Sequence, residues 1–373
     1  MIRAILCDVL ARFRAAEFGP TGLADFTLGP GQEVDAAILL DDPAWTLYSI
    51  DLDGEQAIFT LLAPGTDLST AAFAHILQHE AARQVLTLPL AALPGLSRAL
   101  PSPEKVIFLF SMGRCGTTLA SHILAQVPGV FSLSEPGPFM ALALARFQLP
   151  LALQQDLVVA LTRFCYRPPA GRGTTTLALK FQSQVLFQAE LFHRAFPNAI
   201  NIFQYRDAAS WGNSFTHFMQ MVGVPLAMDS DTLAFSWKMI SGAAPLDLLS
   251  ATTDLTAQSF AHVEVLAPGW ALHVQEFLRL AALGLPFLAL RYNELNSDRA
   301  GSTARLLAYC GLPPSAQTAA ITAFDHDSQE GTQISRDHKS VDFTAGDYTR
   351  LRQILAQLPD NFSPNIILPN APS

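Results

Sequence analysis

The stretch that decides the fold runs from Lys105 to Val127: KVIFLF, then SMGRCG, then TTLASHILAQV. The apolar run Lys105–Phe110 reads as a buried strand. A tight loop containing Gly113 and Gly116 follows, and the hydroxyls of Thr117 and Thr118 open a helical pattern. Strand, glycine loop and helix N-terminus together form a cradle for phosphate, because the first N–H groups of a helix and its dipole favour an anion. The loop lacks the Gly-Lys-[Ser/Thr] ending of nucleotide triphosphatases. Here Gly116 runs straight into Thr117, and the cation, Arg114, stands two residues before that glycine. The reading therefore turns away from ATP and toward another phosphate-bearing donor.

Working outward, short apolar strands alternate with helices. Strands are expected at Lys105–Phe110, Val130–Leu133, Thr176–Leu179, Ile200–Gln204 and Phe287–Leu290. Helical patterns fall near 117–127, 137–147, 152–165, 184–195, 207–220, 231–250 and 270–283. A further helix runs from Ser297 or Asp298 to Cys310, stopped by Gly311 and Pro313. This alternation predicts an α/β fold, a parallel sheet covered on both faces by helices. Asp325–Gly346 is polar and irregular and reads as a lid.

Upstream, PGLSRALPSPEK near residue 100 marks a boundary. It divides a small α+β extension, residues 1–100, from a main α/β domain, residues 101–373. Within the extension, LYSIDL and AIFTLLA flank Asp53-Gly54 as a hairpin, and Thr70–Arg83 reads as a helix capped near Ser69. The extension carries no chemical motif.

Bulk properties exclude some classes. The chain has 373 residues, half of them hydrophobic and 15% charged, so it can bury a large core. A net charge of −9 argues against a broad nucleic-acid surface, though not against a small anion held by local cations. Cys7, Cys115, Cys165 and Cys310 are scattered, which gives neither a disulfide framework nor a zinc spacing. The start, MIRAILCDVLARFRAAEF, carries Asp8 and three arginines at roughly helical spacing, unlike a secretory h-region. The apolar run Phe277–Leu290 is broken by Arg279, Gly284 and Pro286 and is too short to span a bilayer. A cytoplasmic protein with no membrane partner is the expectation.

Each expected strand is followed at once by a residue able to bind an anion or move a proton: the Arg114 loop, Glu135, Lys180, Tyr205-Arg206-Asp207, and Arg291-Tyr292. In an open parallel sheet the carboxyl ends of the strands share one edge, where ligands bind. Groups from distant parts of the chain are thus expected to converge.

On these residues the chain resembles the sulfotransferases that use 3′-phosphoadenosine 5′-phosphosulfate (PAPS), whose scaffold is of the P-loop type. MGRCGTTL resembles their 5′-phosphosulfate loop, in the style of the carbohydrate and protein-tyrosine branches. FQYRDAASWGNSF resembles their 3′-phosphate motif, and FLALRYNELNSDRAGSTARLLAYCGLP their closing strand and helix. The likeness covers roughly residues 104–345. There are departures: Gly113 and Cys115 replace a usual proline and serine, Ala208 follows Arg-Asp where proline is common, and Asn293 takes a usual glutamate position. The resemblance implies a three-layer, P-loop NTPase-like sheet, PAPS as co-substrate without a metal, and a hydroxyl-bearing acceptor: small molecule, glycan or peptide. It implies that Gly113, Arg114, Cys115, Gly116, Thr117 and Thr118 hold the 5′ side, Arg206 and Ser214 the 3′-phosphate, and Tyr292 the adenosine. Catalysis is implied for Arg114, for Glu135 as base, and for Lys180 beside the leaving phosphate.

Each assignment has a plainer counterpart. Arg114 and Lys180 could be solvated, and Glu135 a helix-end acid ahead of Pro136. Ser210 competes with Ser214, and Tyr292 could simply pack. Cys115 reads better as a packing residue than as a nucleophile. His217, His262, His273, His326 and His338 have no metal spacing, though His262 and His326 stand as alternative bases. Trp211 and Trp237 read as core or wall aromatics. Two rival functions remain: a P-loop small-molecule kinase, and a non-catalytic protein that binds a nucleotide or sulfated ligand.

Overall fold

The computed structural model describes residues 2–168, 171, 173–329 and 343–369. Two sheets organise it. The first, antiparallel, has the order β2-β1-β6-β5-β4, with β3 also paired to β1. Its strands are β1 (Arg3–Arg12), β2 (Phe26–Leu28), β3 (Gln32–Asp35), β4 (Trp45–Asp51), β5 (Gln56–Leu62) and β6 (Ala82–Pro89). The second is parallel throughout and comprises β7 (Lys105–Ser111), β8 (Val130–Ser134), β9 (Thr176–Lys180), β10 (Ile200–Tyr205) and β13 (Leu288–Arg291). Its order is β13-β10-β7-β9-β8. A two-stranded ribbon, β11 (Ala227–Met228) with β12 (Phe260–Ala261), lies apart.

The period of two along β7 builds three layers. Phe108 and Phe110 point to one face, against Phe181 and Phe192 at 5.2–5.8 Å between ring centroids. Ile107 and Leu109 point to the other, into a core shared with Leu119, Ile123, Leu306 and Leu307. Helices therefore cover both faces of a P-loop-like sheet with an antiparallel α+β sheet beside it. The antiparallel sheet packs closely against a helix of the main domain: a Cβ at Gly137, which opens the helix Gly137–Leu144, would lie 2.7 Å from the Tyr48 carbonyl oxygen of β4.

All five parallel strands and the Asp53-Gly54 hairpin stand within a residue or so of expectation. Several other elements differ. The arginine-bearing start is strand β1, because pairing with β3 and β6 overrides its helical spacing. The helix expected over 70–83 is confined to Ala74–Ala81, and Ala82 already belongs to β6. Ser69 does not cap it. Asp67 caps a short 3₁₀ turn there, accepting from the Ser69 N–H at 3.0 Å. The 231–250 helix breaks at Gly242 (φ 60°) into Ser230–Ser241 and Asp247–Ser250. The 184–195 pattern begins as a 3₁₀ turn, Ser183–Gln188.

The helix expected from residue 270 starts at His262 and runs through Pro268 to Ala282. Pro268 has no N–H for the Glu264 carbonyl, and the Thr253 hydroxyl donates to that oxygen instead at 3.2 Å. Asp298 caps the helix Arg299–Tyr309 through the Gly301 N–H. Most of the expected lid, residues 330–342, and His338 within it, lie outside the described residues. At its end Thr344 and Asp347 form a capping box for an unexpected helix, Ala345–Gln357. Among the described residues no helix is long and apolar enough to cross a membrane.

Candidate active site

The loop after β7 turns through three left-handed residues: Gly113 (φ 74°), Arg114 (φ 47°) and Gly116 (φ 81°). Such a curl gathers backbone N–H groups into an anion-binding concavity. Gly116 is the N-cap of the helix Thr117–Ala125, which has no side-chain cap. A Cβ at Gly116 would also lie 2.5 Å from Cδ2 of Tyr292, so the position needs glycine for its φ and for the ring that lies on it. Three further contacts fix the loop. The Trp211 indole N–H donates to the Gly113 carbonyl at 2.9 Å. The Gln204 amide donates to the Cys115 carbonyl at 2.7 Å, and the Cys115 thiol donates to the Gln204 carbonyl at 3.1 Å. Burial pushes the Cys115 thiol up to about 12, which suits packing and not nucleophilic attack.

The next two strand ends meet each other. Ser134 of β8 pairs with Lys180 of β9, and the Lys180 ammonium makes an ion pair with the Glu135 carboxylate. Lys180 is buried, with 3% of its side chain exposed. Glu135 has φ 53°. Its N–H donates to the Lys180 carbonyl at 2.7 Å, and its carbonyl accepts from His75 Nδ1 at 2.9 Å. His75 is wholly buried, and desolvation lowers its pKa to about 4, so the ring is neutral.

At the end of β10, Arg206 lies over the Tyr292 ring, 4.5 Å from its centroid. Its Nε donates to Ser210 Oγ at 3.0 Å. Ser210 itself donates to Asp207, which caps the helix Ala208–Met221. Asn293 also donates to Asp207, at 3.3 Å. Burial opposes the Asp207 charge, but these hydrogen bonds and Arg206 outweigh it and lower its pKa. The Ala208 N–H donates to the Pro364 carbonyl at 2.8 Å, a bond that a proline at 208 would forbid.

These strand ends open on one cavity of about 830 Å³. Its wall includes Gly113, Arg114, Gly116, Thr117 and Thr118, with Glu135, Lys180, Arg206, Ser214 and Tyr292. Cys115 lies behind the loop, outside that wall. Of the two serines, Ser210 serves the cap, while Ser214 lines the cavity. His262 and His326 do not line it, and His262 is held on the Pro225 carbonyl at 2.8 Å. Neither is placed to replace Glu135. Among the described residues no group of His, Cys, Asp and Glu could hold a metal.

Sequence reasoning missed His75, the anchoring role of Trp211, and a wall built by Phe18 and Phe73 from the first hundred residues. Trp211 was in reach, sitting inside the motif that contains Arg206; the others join the site only because the loop after β1 and the helix Ala74–Ala81 pack against the strand ends.

The arrangement offers an anion cradle, a second cation with a hydroxyl nearby, and a carboxylate touching an ammonium, all on one cavity. No curated protein matches the chain significantly in sequence. Among solved structures it is similar to a sulfotransferase from Alicyclobacillus acidocaldarius (13% identity, TM-score 0.40, covering 70% of this chain and 96% of that one). Sulfotransferase STF9 from Mycobacterium avium is also similar (14% identity, TM-score 0.43, covering 73% and 79%). So is a mouse sulfotransferase in complex with PAP (13% identity, TM-score 0.40, covering 71% and 88%). The model of the sulfotransferase domain matches residues 104–348, and the chain belongs to that family.

Proposed function

We propose that this cavity transfers a sulfuryl group from PAPS to a hydroxyl of an acceptor. The observation that carries the reading is the convergence of the Arg114–Thr118 loop, the Arg206/Ser214 pair and the Lys180–Glu135 pair on one wall. Two separate anion-binding places suit a nucleotide with phosphates on both its 5′ and 3′ sides. In this reading the loop amides and the Thr117 and Thr118 hydroxyls hold the 5′-phosphate, Arg206 and Ser214 hold the 3′-phosphate, and Tyr292 lies against the adenosine.

The reaction is an in-line displacement. The acceptor oxygen attacks sulfur, the bond from sulfur to the bridging oxygen breaks, and adenosine 3′,5′-bisphosphate leaves. Glu135 takes the hydroxyl proton. Arg114 and Lys180 stabilise the charge that gathers on the sulfuryl and bridging oxygens. With side-chain cations carrying the charge, the reaction needs no metal ion.

The test is transfer from radiolabelled PAPS to a panel of alcohols in excess EDTA. Labelled product formed in EDTA supports the reading. Phosphate transfer from ATP that requires magnesium would instead establish the kinase reading. A protein that binds adenosine 3′,5′-bisphosphate but consumes no PAPS with any acceptor would be a binding protein.

A further inference from the structure

We propose that His75, which lies outside the family domain, is a positioning residue that holds Glu135 against Lys180. The inference rests on the sulfuryl-transfer reading with Glu135 as its base. Glu135 stands in a conformation that its sequence disfavours. Its φ is 53°, in the left-handed region, and the next residue is Pro136. A residue before proline is driven toward an extended backbone, with φ about −120°. A left-handed glutamate persists there only where its surroundings over-determine it. The Glu135 N–H is fixed on the Lys180 carbonyl at 2.7 Å. The Glu135 carbonyl accepts from His75 Nδ1 at 2.9 Å and from the Gln182 amide only at 3.5 Å. A carbonyl can only accept, so the hydrogen sits on Nδ1 and the neutral ring is the donor. His75 therefore makes the shorter of the two bonds to that oxygen, and it does so from outside a family match that begins at residue 104.

His75 is itself held in place. It is the second residue of the helix Ala74–Ala81 and is buried. One turn on, buried Gln78 donates to the Leu47 carbonyl at 3.1 Å and to the Thr46 hydroxyl at 3.0 Å, both on β4. Phe73, which precedes the helix, sets its ring centroid 5.3 Å from Lys180 Nζ, a cation–π contact that burial of the ammonium strengthens. One helix end, anchored on the antiparallel sheet, thus meets both members of the Lys180–Glu135 pair. His75 does not line the cavity, so it meets neither donor nor acceptor and acts through Glu135. Without its bond the Glu135 carbonyl keeps only the long Gln182 contact, and the backbone relaxes toward the extended region and draws the carboxylate off Lys180.

The test is steady-state kinetics of the full chain with PAPS and the alcohol of the panel that gives most product, beside calorimetric titration with adenosine 3′,5′-bisphosphate. His75→Leu is expected to lower kcat about a hundredfold, the usual worth of a reacting group displaced by about 1 Å. KM for PAPS and affinity for the bisphosphate are expected to stay parental, and a crystal structure of the variant is expected to show Glu135 out of the left-handed region. His75→Asn places an amide N–H two bonds from Cβ, where Nδ1 stands, and is expected to recover most of the lost kcat. His75→Ser, whose hydroxyl is one bond shorter, stands in should His75→Leu fail to fold. Parental kcat in the folded variant overturns this inference and leaves the donor reading intact. So does an unmoved Glu135, a matching loss of bisphosphate affinity, or an asparagine variant as slow as the leucine one. Failure of the parental protein to consume PAPS with any alcohol overturns the sulfuryl-transfer reading, and this inference with it.

Discussion

Glu135 combines a left-handed backbone with a carboxylate pressed against a buried lysine, a conformation that costs free energy and is held by its neighbours. If it is the base, Glu135→Gln keeps the shape and removes the basic oxygen. Turnover is expected to fall by about a hundred- to ten-thousandfold, with affinity for adenosine 3′,5′-bisphosphate nearly unchanged. Parental turnover in that variant would leave Glu135 as a partner of Lys180 only. Lys180→Met is expected to lower turnover and also bisphosphate affinity, measured by calorimetry, because on the proposed function its charge would face the phosphates. His75 adds a pH signature. Burial holds its folded pKa near 4, below the ordinary histidine value of 6.5, so the unfolded chain binds the extra proton between those values. Stability contributed by neutral His75 is present above pH 6.5 and is lost as pH falls from 6.5 toward 4. Buried His273, also lowered to about 4 by desolvation, acts in the same direction. Melting temperature should therefore drop over that window, and the drop should be smaller in His75→Gln. An equal drop in both would show that other groups set the acid limit. At this scale the strand-end residues were legible because each follows an apolar run. His75 and Phe18 were not, because nothing local in their sequence marks them.

At the scale of elements, the loop Ser111–Gly116 depends on a residue without a Cβ. Gly116→Ala forces a side chain into the Tyr292 ring at a left-handed φ. It is expected to cost about 1–3 kcal/mol and to abolish measurable bisphosphate binding, read by thermal melting and calorimetry. Retained binding would show that the loop can reshape. The long helix through Pro268 gives a second test. Thr253→Val removes the hydroxyl that serves the Glu264 carbonyl and is expected to cost about 1–2 kcal/mol in denaturant unfolding. No change would mean that this carbonyl finds water instead. Legibility follows the same physics. The parallel strands could be read because both their faces are buried, which leaves unbroken runs such as KVIFLF. β1 and β6 could not, because their residues alternate weakly and their pairing is set by strands far away in the chain. The start of the long helix was obscured by Pro268, whose lost hydrogen bond is made good by a threonine eleven residues before the carbonyl it serves.

Across the whole molecule, the parallel sheet gathers the strand-end groups on one edge, and the loop of residues 14–19 after β1, with Phe73, closes part of the cavity they share. The first of these arrangements was legible, since topology alone sends the strand ends to one place. The second was not, because it depends on how a loop and a helix N-terminus distant in the chain pack against the strand ends, and the sequence of the first hundred residues holds no chemical motif to betray it. The central claim is that two anion-binding places on this wall receive one nucleotide with phosphates at 5′ and 3′. Titration calorimetry in EDTA tests it most directly, comparing adenosine 3′,5′-bisphosphate with AMP on the parental protein and on Arg206→Ala. The account predicts that the bisphosphate binds more tightly than AMP to the parental protein and that Arg206→Ala erases most of the difference. Equal affinity for the two ligands, or a preference that survives the loss of Arg206, would contradict it.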